Sequence, residues 1–398
     1  MALVKLLTLL CIVFTSSHPF VNSRTENKID HRQLERELKV LNKSPIKTIK
    51  TKEGDIIDCI DIYKQPTLDH PLLKNHTIQL NPTALPKNDK DKISATRNAG
   101  KIPGAVGCPM GTVPIRRTSK EDLIRGKSFF NKITTNIHPL TGLTPGRHQA
   151  IMRSIVPSRY TYRGIEATFS LHRPFVGPGQ SSSSQMWIES GTPGARNTIQ
   201  VGWMVNQDLF GDNSTRNFGF WHNNGLSNTP GCFNYLCPGF VQVDPDWTLG
   251  MREPYHSYGD NRQSTLTLRV MQDKESGNWW MSVPSYNINV GYWPRKLFTS
   301  LTAGATQVIW GGQTFADTSG ASPPMSCGHF PPEDYLHGCY MTNMKIIEPL
   351  RNYLFDPPQL ERFVDNTDCY NVTGYGDNDW PLEHSFLFGG PGGNNCGI

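Results

Sequence analysis

The chain has 398 residues, 37% of them hydrophobic, and a formal net charge of +5. After residue 14 no stretch reaches the roughly 18 uncharged apolar residues of a membrane helix, so a membrane-spanning chain is not expected. The charge is uneven: residues 24–145 hold 22 Lys and Arg against 13 Asp and Glu, and residues 146–398 hold 16 against 21. The basic excess is scattered rather than clustered, so neither a nucleic acid nor a membrane surface is expected as partner; two segments of opposite sign suggest instead that they dock on each other.

The chain begins MALVKLLTLLCIVF, with one charge at Lys5 and an apolar run from Leu6 to Phe14 that is too short to span a bilayer. This reads as a secretory signal. Val21 and Ser23 stand third and first before a cut that would make residues 1–23 the signal and start a soluble, exported chain near Arg24. The extracellular space is expected, with cell wall or vacuole as alternatives. In DHRQLERELKVLNK, Asp30 is a candidate N-cap with Gln33 three residues on, and Leu34, Leu38 and Leu41 share a face, which predicts a short amphipathic helix. KTIKTKEGDIIDCIDIYKQP carries a turn at Glu53-Gly54-Asp55 and alternates beyond it, which predicts a hairpin. A polar run follows from Asn81 to about Gly107, and HPLTGLTPGRH at 138–148 is a second break, so the domain boundary is set near Pro145.

From 146 to 398 no long helical period is seen. Strand-like runs recur instead, among them QMWIES, NTIQVGWMVN, FGFWHN, GFVQVD, STLTLRVMQD, NWWMSV, NVGYW and TQVIWGG, with Gly, Pro and Asn between most of them. The pattern predicts a mostly β protein: an antiparallel β-sandwich domain at 146–398, preceded by a small α+β segment at 24–145. Most of the aromatic residues are assigned to the core rather than to a binding stripe.

Nine cysteines are present, and Cys11 lies in the signal. The remaining eight read as disulfides in an exported chain; the rival, a zinc site, is disfavoured because the C-x4-C of Cys232 and Cys237 has no second tight Cys/His pair. No metal or cofactor is expected. Asn75, Asn213 and Asn371 are glycosylation sequons; Asn42 also fits, but the proline after Ser44 weakens it. There is no G-x-S-x-G elbow and no H-E-x-x-H, and Asp317 in DTSG lacks the Asp-Ser/Thr-Gly order of an aspartic peptidase and is assigned to a loop.

DCIDIYKQPTLDHPLLKNHTIQ at 58–79, CPMGTVPIRR at 108–117, GCFNYLCPGFVQ at 231–242, GNWWM at 277, GYWP at 291 and the closing FGGPGG with Cys396 together resemble the neprosin family, in the right order over nearly the whole exported chain. The resemblance implies a plant secreted protein with an activation peptide ahead of a β-sandwich whose cleft holds two glutamates, acting as a glutamic endopeptidase that cuts after proline. The leading segment would block the cleft until it is removed, which makes that prosegment a partner of the domain. It also implies the bridges Cys59–Cys108, Cys232–Cys237 and Cys369–Cys396; pairing Cys327 with Cys339 follows from parity and proximity.

In active neprosins the glutamates lie in I-E-x-G-W and W-G-G-E, and the matching positions here are Gln200 in TIQVGW and Gln313 in VIWGGQ. Peptide hydrolysis by paired carboxylates needs one group to take a proton and another to give one. An amide does neither, although one glutamine can serve as an oxyanion donor beside a glutamate. The strand period puts Gly202 beside Gln200 and Gly311 beside Gln313 on the same face, leaving room for a peptide backbone, though ordinary bulge glycines would look the same. Glu189 and Glu166, the nearest carboxylates in sequence, are assigned to solvated surface. The expected function is a peptidase-inactive homologue that binds a proline-containing peptide or protein; the alternatives are a working peptidase with a recruited carboxylate and a sandwich that binds cell-wall carbohydrate.

Overall fold

The computed structural model describes residues 31–87, 105–134, 146–155, 161–226, 230–255, 263–317, 321–332, 335, 338–349, 352–373, 376 and 384–396. The signal, Asp30 and most of the 138–148 break lie outside them. The strands, in chain order, are β1 Lys47–Lys50, β2 Ile56–Asp61, β3 Thr112–Arg116, β4 Arg147–Ser154, β5 Gly164–Ser170, β6 Gln180–Ser190, β7 Asn197–Asn206, β8 Arg216–Asn223, β9 Gly231–Phe233, β10 Val241–Gln242, β11 Thr265–Gln272, β12 Trp279–Val283, β13 Ile288–Trp293, β14 Gln307–Ala316, β15 Tyr340–Ile347, β16 Leu354–Phe355, β17 Leu360–Val364, β18 Asn371–Val372 and β19 Phe386–Gly389. The helices are α1 His31–Leu41, α2 Lys120–Thr134 and α3 Gln207–Phe210.

Two antiparallel sheets face each other across one core. The first runs β17-β4-β14-β6-β7-β8-β9; the second runs β10-β13-β12-β11-β5-β15-β19-β18, with β16 paired to β15. Alternation decides which side chains enter the core. Ile199, Val201, Trp203 and Val205 of β7 and Val308 and Trp310 of β14 meet Leu266, Leu268 and Val270 of β11 in the main cluster, as the two-residue strand period requires. The described tryptophans are core residues: Trp187, Trp203, Trp221, Trp247, Trp279, Trp280, Trp293 and Trp310 are buried. Trp203 keeps its indole N–H satisfied by donating to the Ser170 carbonyl at 2.9 Å.

The leading segment is the expected small α+β unit. The hairpin β1–β2 forms where the alternation and turn predicted it and takes β3 as a third strand. On α1, Leu34 and Leu41 pack with Leu123 of α2, Leu38 at their edge; burying each such leucine contributes about 1.5–3 kcal/mol. All four expected bridges are formed: Cys59–Cys108, Cys232–Cys237, Cys327–Cys339 and Cys369–Cys396.

This unit docks on the sandwich, but not through the net charges that its composition suggested. The contact is mostly neutral and buried. Gln65, 1% exposed, mimics a strand: its Oε1 accepts from Gln242 N at 2.8 Å and its Nε2 donates to Gln242 O at 3.1 Å. Thr67 donates to the Phe240 carbonyl. Gln79 donates to Asp273 at 3.1 Å and accepts from Asn278 at 2.9 Å, while His76 meets the Tyr292 hydroxyl at 2.8 Å. Phe129 and Ile133 of α2 pack on Met204, Phe218, Phe220, Phe233 and Phe315 of the sandwich. Lys132 pairs with Asp208 at 3.4 Å in the expected sense, but the most buried ion pair runs the other way, from Asp55 of the basic segment to Arg216 of the acidic one at 3.0 Å.

Candidate functional site

Gln200 and Gln313 lie on the face of the seven-stranded sheet that points away from the sandwich core. Gln200 on β7 stands opposite Trp187 of β6 and Phe220 of β8. Gln313 on β14 stands opposite Ser183 of β6 and Gln149 of β4. Both are partly exposed. Between them, on β6, sits a third amide: the direct cross-strand partners of Gln185 are Gly202 on one side and Gly311 on the other. Gln200 and Gln313 are therefore its two diagonal neighbours, each about 7–8 Å away, so the three amides cross the sheet on one oblique line.

The glycines make this floor low. A Cβ at 202 would run into the Ser184 carbonyl and the Cα of Gln185; one at 311 would meet the Ala150 carbonyl and the Cα of Ile151. Gly311 also has φ +147°, a conformation that side-chain-bearing residues avoid. Gly311→Ala is therefore expected to lower unfolding stability by about 1–3 kcal/mol from backbone strain alone; an unchanged midpoint in chemical denaturation would contradict the tight approach. The serine run Ser181 to Ser184 keeps β6 slim beside it, and the Ser183 hydroxyl donates to the Gln313 carbonyl at 3.1 Å.

The amides are unequally satisfied. Gln313 Oε1 accepts from Gln149 Nε2 at 3.1 Å. Gln185 is 1% exposed, yet among the described residues neither its Oε1 nor its Nε2 has a partner. An orphaned buried polar group of this kind costs about 1–3 kcal/mol, and Gln185 carries one unused donor and one unused acceptor, the pair that a peptide C=O and N–H would match. Among the described residues no carboxylate is hydrogen-bonded to the Gln200 or Gln313 side chain, and no group of three or more His, Cys, Asp or Glu could hold a metal ion.

The two carboxylates assigned to the surface are buried instead. Glu166 on β5, 4% exposed, is in the other sheet, held by Arg269 at 2.6 Å. Glu189 at the end of β6 is 2% exposed and pairs with Arg196 at 2.8 Å. Burial pushes its carboxyl up to about 7 against the opposing pull of the Arg196 guanidinium. The surface assignment failed because both strands are covered on both faces, so alternation no longer separates core from solvent. Of the sequons, Asn75 is exposed at a left-handed turn, whereas Asn213 and Asn371 are partly buried, the latter accepting from Arg362. Sequence reasoning did not single out Gln185 or Gln149. Strand parity alone puts Gln185 on the face of Ser183, but placing it between two glycines needs the register of three strands.

The chain matches the Neprosin family model over residues 178–391 and the Neprosin activation peptide model over residues 48–152. The second match extends through most of β4, a strand of the sandwich. Among solved structures, it is similar to scytalido-glutamic peptidase with a peptide-based transition-state analogue, at 11% identity and a TM-score of 0.34, covering 62% of this chain and 98% of that one. It is also similar to SCP-B, a member of the eqolisin family of peptidases, in complex with the tripeptide Ala-Ile-His, at 9% identity and a TM-score of 0.33, with 62% and 98% covered.

Proposed function

Because the chain belongs to the neprosin family, we propose that it is a secreted member in which Gln200 and Gln313 occupy the positions of the catalytic glutamates, and that it binds proline-containing peptides without cutting them. On this reading residues 1–23 are a signal, 24–145 an activation-peptide-like prosegment and 146–398 the binding domain. Four disulfides and the leader support export. One observation carries the binding function: the unpartnered amide of Gln185, set between Gly202 and Gly311 and flanked diagonally by the two glutamines. Amides supply hydrogen bonds to a peptide backbone but no titrating group, so the cleft keeps recognition and lacks an acid and a base.

The alternatives fare less well. Of the two carboxylates nearest in sequence, Glu166 is in the other sheet and the Oε2 of Glu189 is already held by Arg196. A carbohydrate platform needs an open aromatic face; the described tryptophans are buried, and the exposed pair Tyr353 and Phe355 belongs to the edge of the other sheet. The test is the complete chain, cut at an inserted protease site within residues 138–145 and diluted until the leading segment dissociates, offered fluorescent proline-rich peptides at acidic pH. The peptides are expected to bind and remain intact. Gln185→Leu should weaken binding about 10-fold while leaving the protein as stable or more so, since two buried orphan atoms are removed. Hydrolysis by the wild type, or full binding by Gln185→Leu, would refute the proposal.

A further inference from the structure

Two residues beyond the amide line on the same outward face, β6, β7 and β8 bring a second polar row together. Glu189 is the cross-strand partner of Thr198, and Thr198 of His222. They are 2%, 0% and 4% exposed. Each carries a buried polar atom without a partner among the described residues: Glu189 Oε1, Thr198 Oγ1 and His222 Nδ1. Aliphatic side chains in these places would avoid about 1–3 kcal/mol per orphaned atom, so packing gives no reason for three of them side by side. Glu189 Oε2 is taken by Arg196 Nη1 at 2.8 Å, which leaves Oε1 as the free acceptor.

The row adjoins the cleft, with Thr198 two residues from Gln200 on β7 and Glu189 and His222 as diagonal neighbours of Gln200. At His222 the cover belongs to the leading segment. Phe130 of α2 lies 5.7 Å from the His222 ring, which stacks on Phe220 at 8° between planes. We infer that Glu189, Thr198 and His222 form a side-chain subsite of the peptide cleft that takes a primary amide, a Gln or Asn side chain of the bound peptide, and that Phe130 covers it while the leading segment is docked. The inference rests on the peptide-binding reading of the cleft.

The choice of an amide follows from the lining. Above the carboxyl's value of about 7 Glu189 is ionised and its Oε1 accepts, so the guest must donate. The Thr198 hydroxyl both donates and accepts. His222 is neutral, since burial pushes its imidazole down to about 4, and its Nδ1 suits either role according to tautomer. A cationic guest would meet Arg196 and an anionic one Glu189. A neutral group with donor and acceptor side by side matches all three residues.

The complete chain, cut at the inserted site within 138–145 and diluted until the leading segment dissociates and uncovers His222, provides the test at about pH 8, where Glu189 is ionised. The probes are labelled proline-containing peptides in which each of four positions on either side of the proline is in turn Gln, Ala, Lys or Glu. At one position Gln should bind about 10-fold tighter than Ala, with Lys and Glu no better than Ala. Thr198→Val, which removes one hydroxyl at constant shape, and His222→Phe should each reduce the preference for Gln over Ala to within about twofold. Peptides that bind with no such preference, or a preference that survives both variants, would overturn the subsite while the peptide-binding reading stands, the row then serving an internal water only. Failure of every peptide to bind would overturn both.

Discussion

Replacing both Gln200 and Gln313 by glutamate is expected to turn a chain that leaves proline-rich substrates intact into one that cuts them after proline. Glu and Gln are nearly isosteric, and the two positions already share a face, flank one strand and adjoin glycines that lower the floor between them. Gln149 Nε2 donates to Gln313 Oε1 now and can donate to a carboxylate in the same place. One carboxyl must be protonated to give a proton while the other is ionised to take one, and both forms coexist only near the ordinary carboxyl pKa of about 4, which confines activity to acidic pH. General acid–base catalysis is worth about 10²–10⁴ in rate, so the double variant should exceed the wild type by at least that range. Gln200→Glu alone, a Glu/Gln pair, should be weak or silent. The measurement is cleavage of a proline-containing reporter peptide at pH 3–6 by the chain cut within residues 138–145. Wild-type activity that survives mutation of both glutamines to alanine would place the chemistry elsewhere. A folded double variant that sheds its leading segment and cuts nothing would show that the cleft has diverged beyond these two residues.

Asp55→Ala is expected to loosen the leading segment more than any other single change at the joint. Asp55, in the turn between β1 and β2, accepts from Arg216 at 3.0 Å, Arg116 at 3.2 Å and Arg252 at 3.3 Å. Arg216 is fully buried. Removing one partner of a buried pair costs about 3–5 kcal/mol; the lower end applies, because Asp212 stays on Arg216 at 2.6 Å. With the joint cut, affinity between the pieces should fall about 100-fold. Salt should do little to the wild type, since this pair is buried and the contacts of Gln65, Thr67 and Gln79 with the sandwich are hydrogen bonds. Burial alone would raise the Asp55 carboxyl; the hydrogen bonds and charges of Arg216 and Arg116 outweigh it and hold it below its ordinary value of 3.8. Such a group stabilises docking fully above its unfolded pKa and loses that contribution as pH falls through the lower folded value. Docking through Asp55 should therefore persist at pH 5 and weaken only below about 4. Tight docking by Asp55→Ala, or release of the wild-type segment by moderate salt at neutral pH, would show that the joint is held by something else.

Local order was legible in the residues themselves. The Leu34, Leu38 and Leu41 stripe, the turn at Glu53-Gly54-Asp55 and the alternation of Leu266, Leu268 and Val270 are short-range patterns, set by the 3.6 and 2.0 periods of backbone geometry. The neprosin-like motifs, and with them Gln200, Gln313 and three of the four bridges, could likewise be read in chain order. Relations between strands could not. Gln185 gains its position only because β6 lies between β7 and β14, in a register that sets Gly202 and Gly311 on either side of it. Glu189 looked solvated because its neighbours in sequence say nothing of Arg196 folding back onto it or of a covered outer face. Net charge pointed to a docking of opposite signs, yet Asp55 of the basic segment enters a cluster of arginines, because an ion pair depends on which groups meet at about 3 Å and not on the sum over a segment. The sequence by itself determined the strands, the bridges and the family. The third amide, the Glu189–Thr198–His222 row and the Asp55 contact were decided by tertiary structure, because each joins residues far apart along the chain through register and docking that no local period encodes.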